Sequence, residues 1–112
     1  MKNDDDQPRY VISVAAEVAG IHPQTLRGYE RVGLVFPART SGGGRRYSDA
    51  DLIRVARVAE LTRLGMSHVG IKLVLDLEDE LRGLRTALGA LSRSSLHHHR
   101  APSARITRRI TP

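Results

Sequence analysis

The chain has no cysteine and no tryptophan, and only four aromatic rings among its 112 residues: Tyr10, Tyr29, Phe36 and Tyr47. Without cysteine there is no disulfide scaffold, no thiolate metal site and no cysteine nucleophile. With so few rings, the expected core is aliphatic, built from Leu, Val, Ile and Ala. No apolar run approaches the ~20 residues of a membrane span. The start, with Asp4-Asp5-Asp6, lacks the apolar stretch of a secretory signal, so the chain reads as cytoplasmic with no membrane partner. No Ser/His/Asp order and no carboxylate pair has a pocket to act in, so the chain does not read as an enzyme. Gly42-Gly43-Gly44 lacks the Gly-Lys-Ser/Thr ending of a phosphate-binding loop, and no cofactor is expected.

What is present is positive charge, unevenly placed. Residues 1–82 hold twelve Lys or Arg and twelve Asp or Glu, while residues 83–112 hold six Arg and no acid, which supplies the whole net charge of +6. Within the balanced part, residues 23–57 carry seven Arg against three acids, and residues 76–80 read Asp-Leu-Glu-Asp-Glu. A basic middle section suits a polyanion, and charge alone suits a solvated face equally well.

Local signals divide the chain further. Ser13 reads as an N-cap, with Val14, Ala15, Val18 and Ala19 on one helical face and Gly20 at the C-terminus. Pro23 opens a second helix over 23–32, with His22 placed to cap it and Gly33 to close it. Leu26 points inward, with Tyr29 or Glu30 beside it. Gln24, Thr25, Arg27, Gly28 and Arg31 face out. Two short helices joined by a tight turn make a helix-turn-helix candidate. Residues 35–47 then read extended, glycine turn, extended: a small hairpin, or wing. Ser48-Asp49-Ala50-Asp51 is a capping signature for a third helix, with Leu52, Val55, Ala56, Ala59 and the stem of Arg63 on its inner face and Gly65 at its end. Ser67 caps a fourth helix, in which Ile71, Val74 and Leu75 are apolar.

Val74, Leu77, Leu81, Leu84, Leu88 and Leu91 follow at spacings of 3, 4, 3, 4 and 3, an a/d seam. A lone helix of this length is marginal in water, and Gly83 and Gly89 weaken it by roughly 1 kcal/mol each relative to Ala. The stripe therefore packs on its own domain or on a second chain. An antiparallel pair would match Val74 with Leu91, Leu77 with Leu88 and Leu81 with Leu84, three self-complementary layers. It would also bring Glu78 near Arg85 of the other copy.

Duplex DNA requires an element that fits the major groove, donors for base edges and cations for phosphates. The second helix offers Gln24, Thr25 and Arg27 near a positive N-terminal end. Arg45 and Arg46 extend from a glycine-rich loop, and the Tyr47 hydroxyl adds a phosphate donor.

Four stretches, Ile12–Gly20, Thr25–Val35, Pro37–Arg39 and Arg45–Ser48, resemble the MerR family of bacterial transcription regulators. The triple glycine of residues 39–47 and the Ser-Val-Ala-Ala start look most like the heat-shock repressor (HspR) branch. The resemblance covers about residues 10–82. It implies a dimer of winged helix-turn-helix domains held by an antiparallel coiled coil, repressing chaperone genes with the Hsp70 chaperone DnaK as co-repressor. Gly28 departs from the pattern, standing where the family has an aromatic residue. The short basic tail carries no ligand-binding domain, and without cysteine the family's mercury or redox sensing does not carry over.

The expected fold is all-α: a winged helix-turn-helix with a small β-hairpin wing and a C-terminal antiparallel coiled-coil dimerisation helix. Residues 1–9 are expected to be disordered, 10–73 to form the DNA-binding domain, 74–93 the dimerisation helix, and 94–112 a disordered basic tail. Expected DNA contacts are Ser13, Gln24, Thr25, Arg27, Tyr29, Arg31, Arg39, Arg45, Arg46 and Tyr47. The partners are double-stranded DNA, a second copy of the chain and DnaK, at the bacterial nucleoid. Other readings are a MerR-type activator with an unidentified signal and a protein-interaction adaptor. His97-His98-His99 reads as an adventitious metal binder rather than a site.

Overall fold

A computed structural model describes residues 4–98, with 95–98 as backbone alone. Among the described residues, a 3-10 turn at Asp4–Asp6 precedes α1 (Ile12–Ala19), α2 (Pro23–Arg31), β1 (Ala38–Arg39), β2 (Arg45–Arg46), α3 (Asp49–Arg63) and α4 (His68–His98). The expected winged helix-turn-helix architecture is present. The chain divides between Val74 and Leu75 into two compact units.

The helix ends follow from local chemistry. Gly20 adopts φ 71°, the left-handed conformation that closes a helix, and Ile21 N–H returns to the Ala16 carbonyl at 3.0 Å. Pro23 sits in the first turn of α2, where it has no N–H to lose, and Nδ1 of His22 accepts from Gln24 N–H at 2.9 Å. Ser48 and Asp51 form a reciprocal capping box: Asp51 N–H donates to Ser48 Oγ at 3.0 Å, and Ser48 N–H to Asp51 Oδ2 at 2.9 Å. Ser67 caps α4, accepting from Gly70 N–H at 3.1 Å.

Ser13 is not the cap of α1. Val11 occupies that position without a side-chain bond, and its carbonyl accepts from Val14 N–H and Ala15 N–H at 3.1 Å each. The helix begins there because the preceding chain is already held: Arg9 and Tyr10 N–H donate to the Tyr47 carbonyl at 3.0 and 2.9 Å, and Tyr47 N–H donates back to Tyr10 at 2.7 Å. Arg9 also pairs with Asp4 at 3.8 Å and Asp49 at 3.6 Å. Within the segment expected to be disordered, Arg9 is thus tied to the hairpin and to α3, and residues 1–3 lie outside the described residues. The same tie adds Tyr10 as a third, single-residue rung beside the β1–β2 pair.

The buried face of α1 is Ala15, Ala16 and Ala19, with Val14 and Val18 exposed. This corrects the expected valine-bearing face. The helix packs on both α2 and α3, and small side chains allow that close approach. In α3 the inner face is Val55, Val58, Ala59 and Leu61, while Ala56 is exposed. Arg63 also lies at the surface, its guanidinium donating to the Ala19 carbonyl at the end of α1 at 3.2 Å.

The hairpin pairs Ala38 with Arg46 and Arg39 with Arg45. Thr40 builds its turn, accepting from Gly43 N–H on its carbonyl at 2.8 Å and from Gly44 N–H on its hydroxyl at 3.1 Å. Gly43 supplies the positive φ, 88°, that the turn requires.

The core comprises Leu26, Leu34, Val35, Val55, Val58 and Ile71 together with the rings of Tyr29 and Tyr47, so it is not wholly aliphatic. Tyr47 is 0% exposed, and its hydroxyl has no hydrogen-bond partner among the described residues. Burial, and secondarily the Glu30 charge, raises its pKa above the ordinary tyrosine value.

α4 continues to His98, past Ser94, where a disordered tail was expected to begin. No proline interrupts it before Pro102, and an established helix propagates one hydrogen bond per residue. Residues 99–112, including His99, lie outside the described residues.

Tyr47→Phe removes a buried, unpaired hydroxyl and should leave stability unchanged or raise it by roughly 1 kcal/mol. Because the folded-state pKa is raised, the neutral ring supports folding fully below the unfolded value near 10, and that support is lost as pH rises through the folded value. The variant should therefore lose less stability than wild type above pH ~10. Urea melts across pH check both effects, and a clear destabilisation at neutral pH would contradict them.

Candidate nucleic-acid interface

The outward side of α2 carries the polar residues expected there. Gln24, Thr25 and Arg31 are exposed and Arg27 half-buried. Arg27 Nη1 donates to Gln24 Oε1 at 3.0 Å, so these two side chains are already arranged on one turn. Ser13 is exposed in the first turn of α1. At Gly28, an added Cβ would meet nothing nearer than the Arg31 guanidinium, at 3.4 Å. A side chain there faces no backbone obstruction.

The wing turns its arginines toward α2. Glu30, in the last turn of that helix, is the hub. Its Oε2 accepts from Arg39 Nη2 at 3.2 Å, and its Oε1 pairs with Arg45 Nε. Arg39 also donates to the Gly43 carbonyl at 3.2 Å. Arg27, Glu30, Arg31, Arg39 and Arg45 line one open cavity of about 270 Å³. Four guanidinium groups around one carboxylate give a net positive basin, a site whose field attracts an anion. Arg46, half-buried, donates to the Arg45 carbonyl at 3.0 Å.

Two expected contacts are differently placed. The Tyr29 and Tyr47 rings lie in the core, 5% and 0% exposed. The Tyr47 hydroxyl is therefore not at the surface for a phosphate. Its backbone is drawn inward by the pairing with Tyr10, and its ring goes with it.

Glu30 and Arg54 were missed as site-building residues. Arg54, on α3, donates through Nε to the Leu34 carbonyl at 2.6 Å, and its guanidinium lies 5.5 Å from the centroid of the exposed Phe36 ring. It thereby holds the segment linking α2 to β1. The signal for Glu30 was its isolation: it is the lone acid between residues 18 and 48.

On α4, Val74 is half-buried, while Leu77, Leu81, Leu84, Leu88 and Leu91 are 46–68% exposed. A long helix of this kind fits a dimerisation element. No helix among the described residues is long and apolar enough to cross a membrane.

Comparison with known proteins agrees with this geometry. Residues 10–78 match the MerR HTH family regulatory protein model. The chain is 46% identical over 89 residues to the heat shock protein HspR of Streptomyces coelicolor, covering 79% of this chain and 59% of that one. It is 44% identical over 69 residues to the mercuric resistance operon regulatory protein of Pseudomonas fluorescens, covering 61% of this chain and 48% of the relative. The chain thus spans about half to three-fifths of the length of these relatives. The solved structure of HiNmlR, a MerR family regulator lacking the sensor domain and bound to promoter DNA, superposes with a TM-score of 0.54 at 28% identity over 76% of each chain. The family and fold are those of regulators rather than enzymes. With helix-turn-helix, wing and the start of α4 inside one matched block, this chain belongs to the MerR family of DNA-binding transcription regulators.

Proposed function

We propose that the chain represses heat-shock or chaperone genes as a homodimer on an inverted repeat, at the bacterial nucleoid in the cytoplasm, with DnaK as co-repressor. The observation that carries the DNA reading is the continuity of α2's outward face with the wing arginines around one basin. In this reading α2 enters the major groove, where Gln24, Thr25 and Arg27 meet base edges. Arg31, Arg39, Arg45 and Arg46 serve phosphates, and Ser13 contacts the backbone beside them. The similarity to a heat shock protein at 46% identity favours the repressor branch.

The dimer reading rests on α4. Five leucines of the seam, Leu77, Leu81, Leu84, Leu88 and Leu91, are exposed along one helix, and burying a leucine fully stabilises by about 1.5–3 kcal/mol. A second copy running antiparallel would cover Leu77 with Leu88 and Leu81 with Leu84, and bring Glu78 toward Arg85 of the other copy. Two recognition helices would then face opposite half-sites, as an inverted repeat requires.

Arg27→Ala should lower affinity for the selected duplex by roughly 1–3 kcal/mol and relax preference at one base position. Arg46→Ala should weaken selected and random duplexes alike and reduce the salt slope by about 1. Salt titrations on both duplexes distinguish the two roles. An equal loss on both duplexes for Arg27→Ala would contradict base reading.

Leu84→Asp places a charge in the central layer of the pair and should leave a monomer that binds the inverted repeat poorly. Sedimentation equilibrium checks this. A Leu84→Asp variant that stays a tight-binding dimer would place the seam within a single chain.

A further inference from the structure

The single carboxylate in the arginine basin has no evident use in binding a polyanion. It repels phosphate and reduces the charge available to it. Yet Glu30 is only 19% exposed and engages one arginine from each wing strand, one per oxygen. The strand register sets Arg39 directly opposite Arg45, so two like charges share one face of the hairpin and repel. Each strand is two residues long, and an isolated hairpin is marginal at best in water. Its orientation against α2 must therefore come from outside the ladder. Glu30 supplies that orientation from the last turn of the helix that carries Gln24, Thr25 and Arg27.

We propose that Glu30 is a specificity-determining positioning residue: it seats the wing on the recognition helix and withholds wing charge from non-specific DNA. This rests on the DNA reading above. Non-specific affinity and its salt slope scale with the number of phosphates neutralised. Held by Glu30, Arg39 and Arg45 present a net charge of +1 rather than +2. Random duplex therefore gains less from them. At the preferred site the fixed wing delivers its contacts in register with the base readers on α2.

The test measures binding of wild type, Glu30→Gln and Glu30→Asp to a selected inverted-repeat duplex and a random duplex of equal length, across a salt series. Circular dichroism confirms that each variant is folded. Glu30→Gln should bind random duplex several-fold more tightly, with a slope steeper by about 1. Its ratio of selected to random affinity should fall. Glu30→Asp keeps the charge but not the reach, so its slope should stay at the wild-type value while the ratio falls. A merely structural glutamate would weaken both duplexes alike and leave the slope unchanged, and that result overturns the proposal. Unchanged slope and ratio in both variants, with a wild type that discriminates, overturn it too and leave the DNA reading standing. A wild type that binds neither duplex overturns the DNA reading itself, and this inference with it.

Discussion

The ion pairs from Glu30 to Arg39 and Arg45 join α2 to the hairpin, the two parts of this molecule that we propose face a polyanion. A two-rung hairpin cannot orient itself, and a nine-residue helix cannot extend its own reach. Joined, they form one basic surface. The far side of the hairpin is fixed just as firmly. Tyr47 pairs its backbone with Tyr10 and sinks its ring into the core, and the Ser48 capping box starts α3 at the next residue. The wing is thus clamped between a surface ion pair and a buried ring, with Arg54 holding the segment that leads into it from Leu34.

The same economy explains why α1 buries only alanines. Its work is to let α2 and α3 come close, and its flanking valines remain at the surface. Arg63 ties the other end, donating from the last turn of α3 to the last turn of α1. A domain with few aromatic rings achieves a single core by close helix approach and by burying the rings of Tyr29 and Tyr47. α4 obeys a separate constraint: Leu77, Leu81, Leu84, Leu88 and Leu91 form an exposed apolar stripe on the single chain.

Much of this was legible in the sequence, and the legible part is local. Gly20, His22, Pro23, Gly33, Ser48 with Asp51, Gly65 and Ser67 each act within about one helical turn, so residue type and spacing suffice to place them. The polar outer face of α2 was equally readable, because Leu26 and its neighbours fix which side is inside. What was not legible depends on distant partners. Tyr47 follows two arginines and reads as a polar strand end, but its position is decided by Tyr10, at the other end of the domain. Glu30 reads only as an alternative to Tyr29 beside Leu26, and its partners come from two later strands. Ser13 is a good cap by type, yet the anchoring of Arg9 and Tyr10 starts the helix before it. The tail from Ser94 has the composition of a disordered segment, but helix propagation carries α4 to His98.

The central claim is that α2 and the hairpin act as one DNA-facing surface. Amide hydrogen exchange of the full chain, free and with a duplex selected from a random pool, tests it most directly. The account predicts slowed exchange in residues 23–31 and 38–46 together on binding, with little change in α3. Slowing confined to α4, or to α2 without the hairpin, would contradict it.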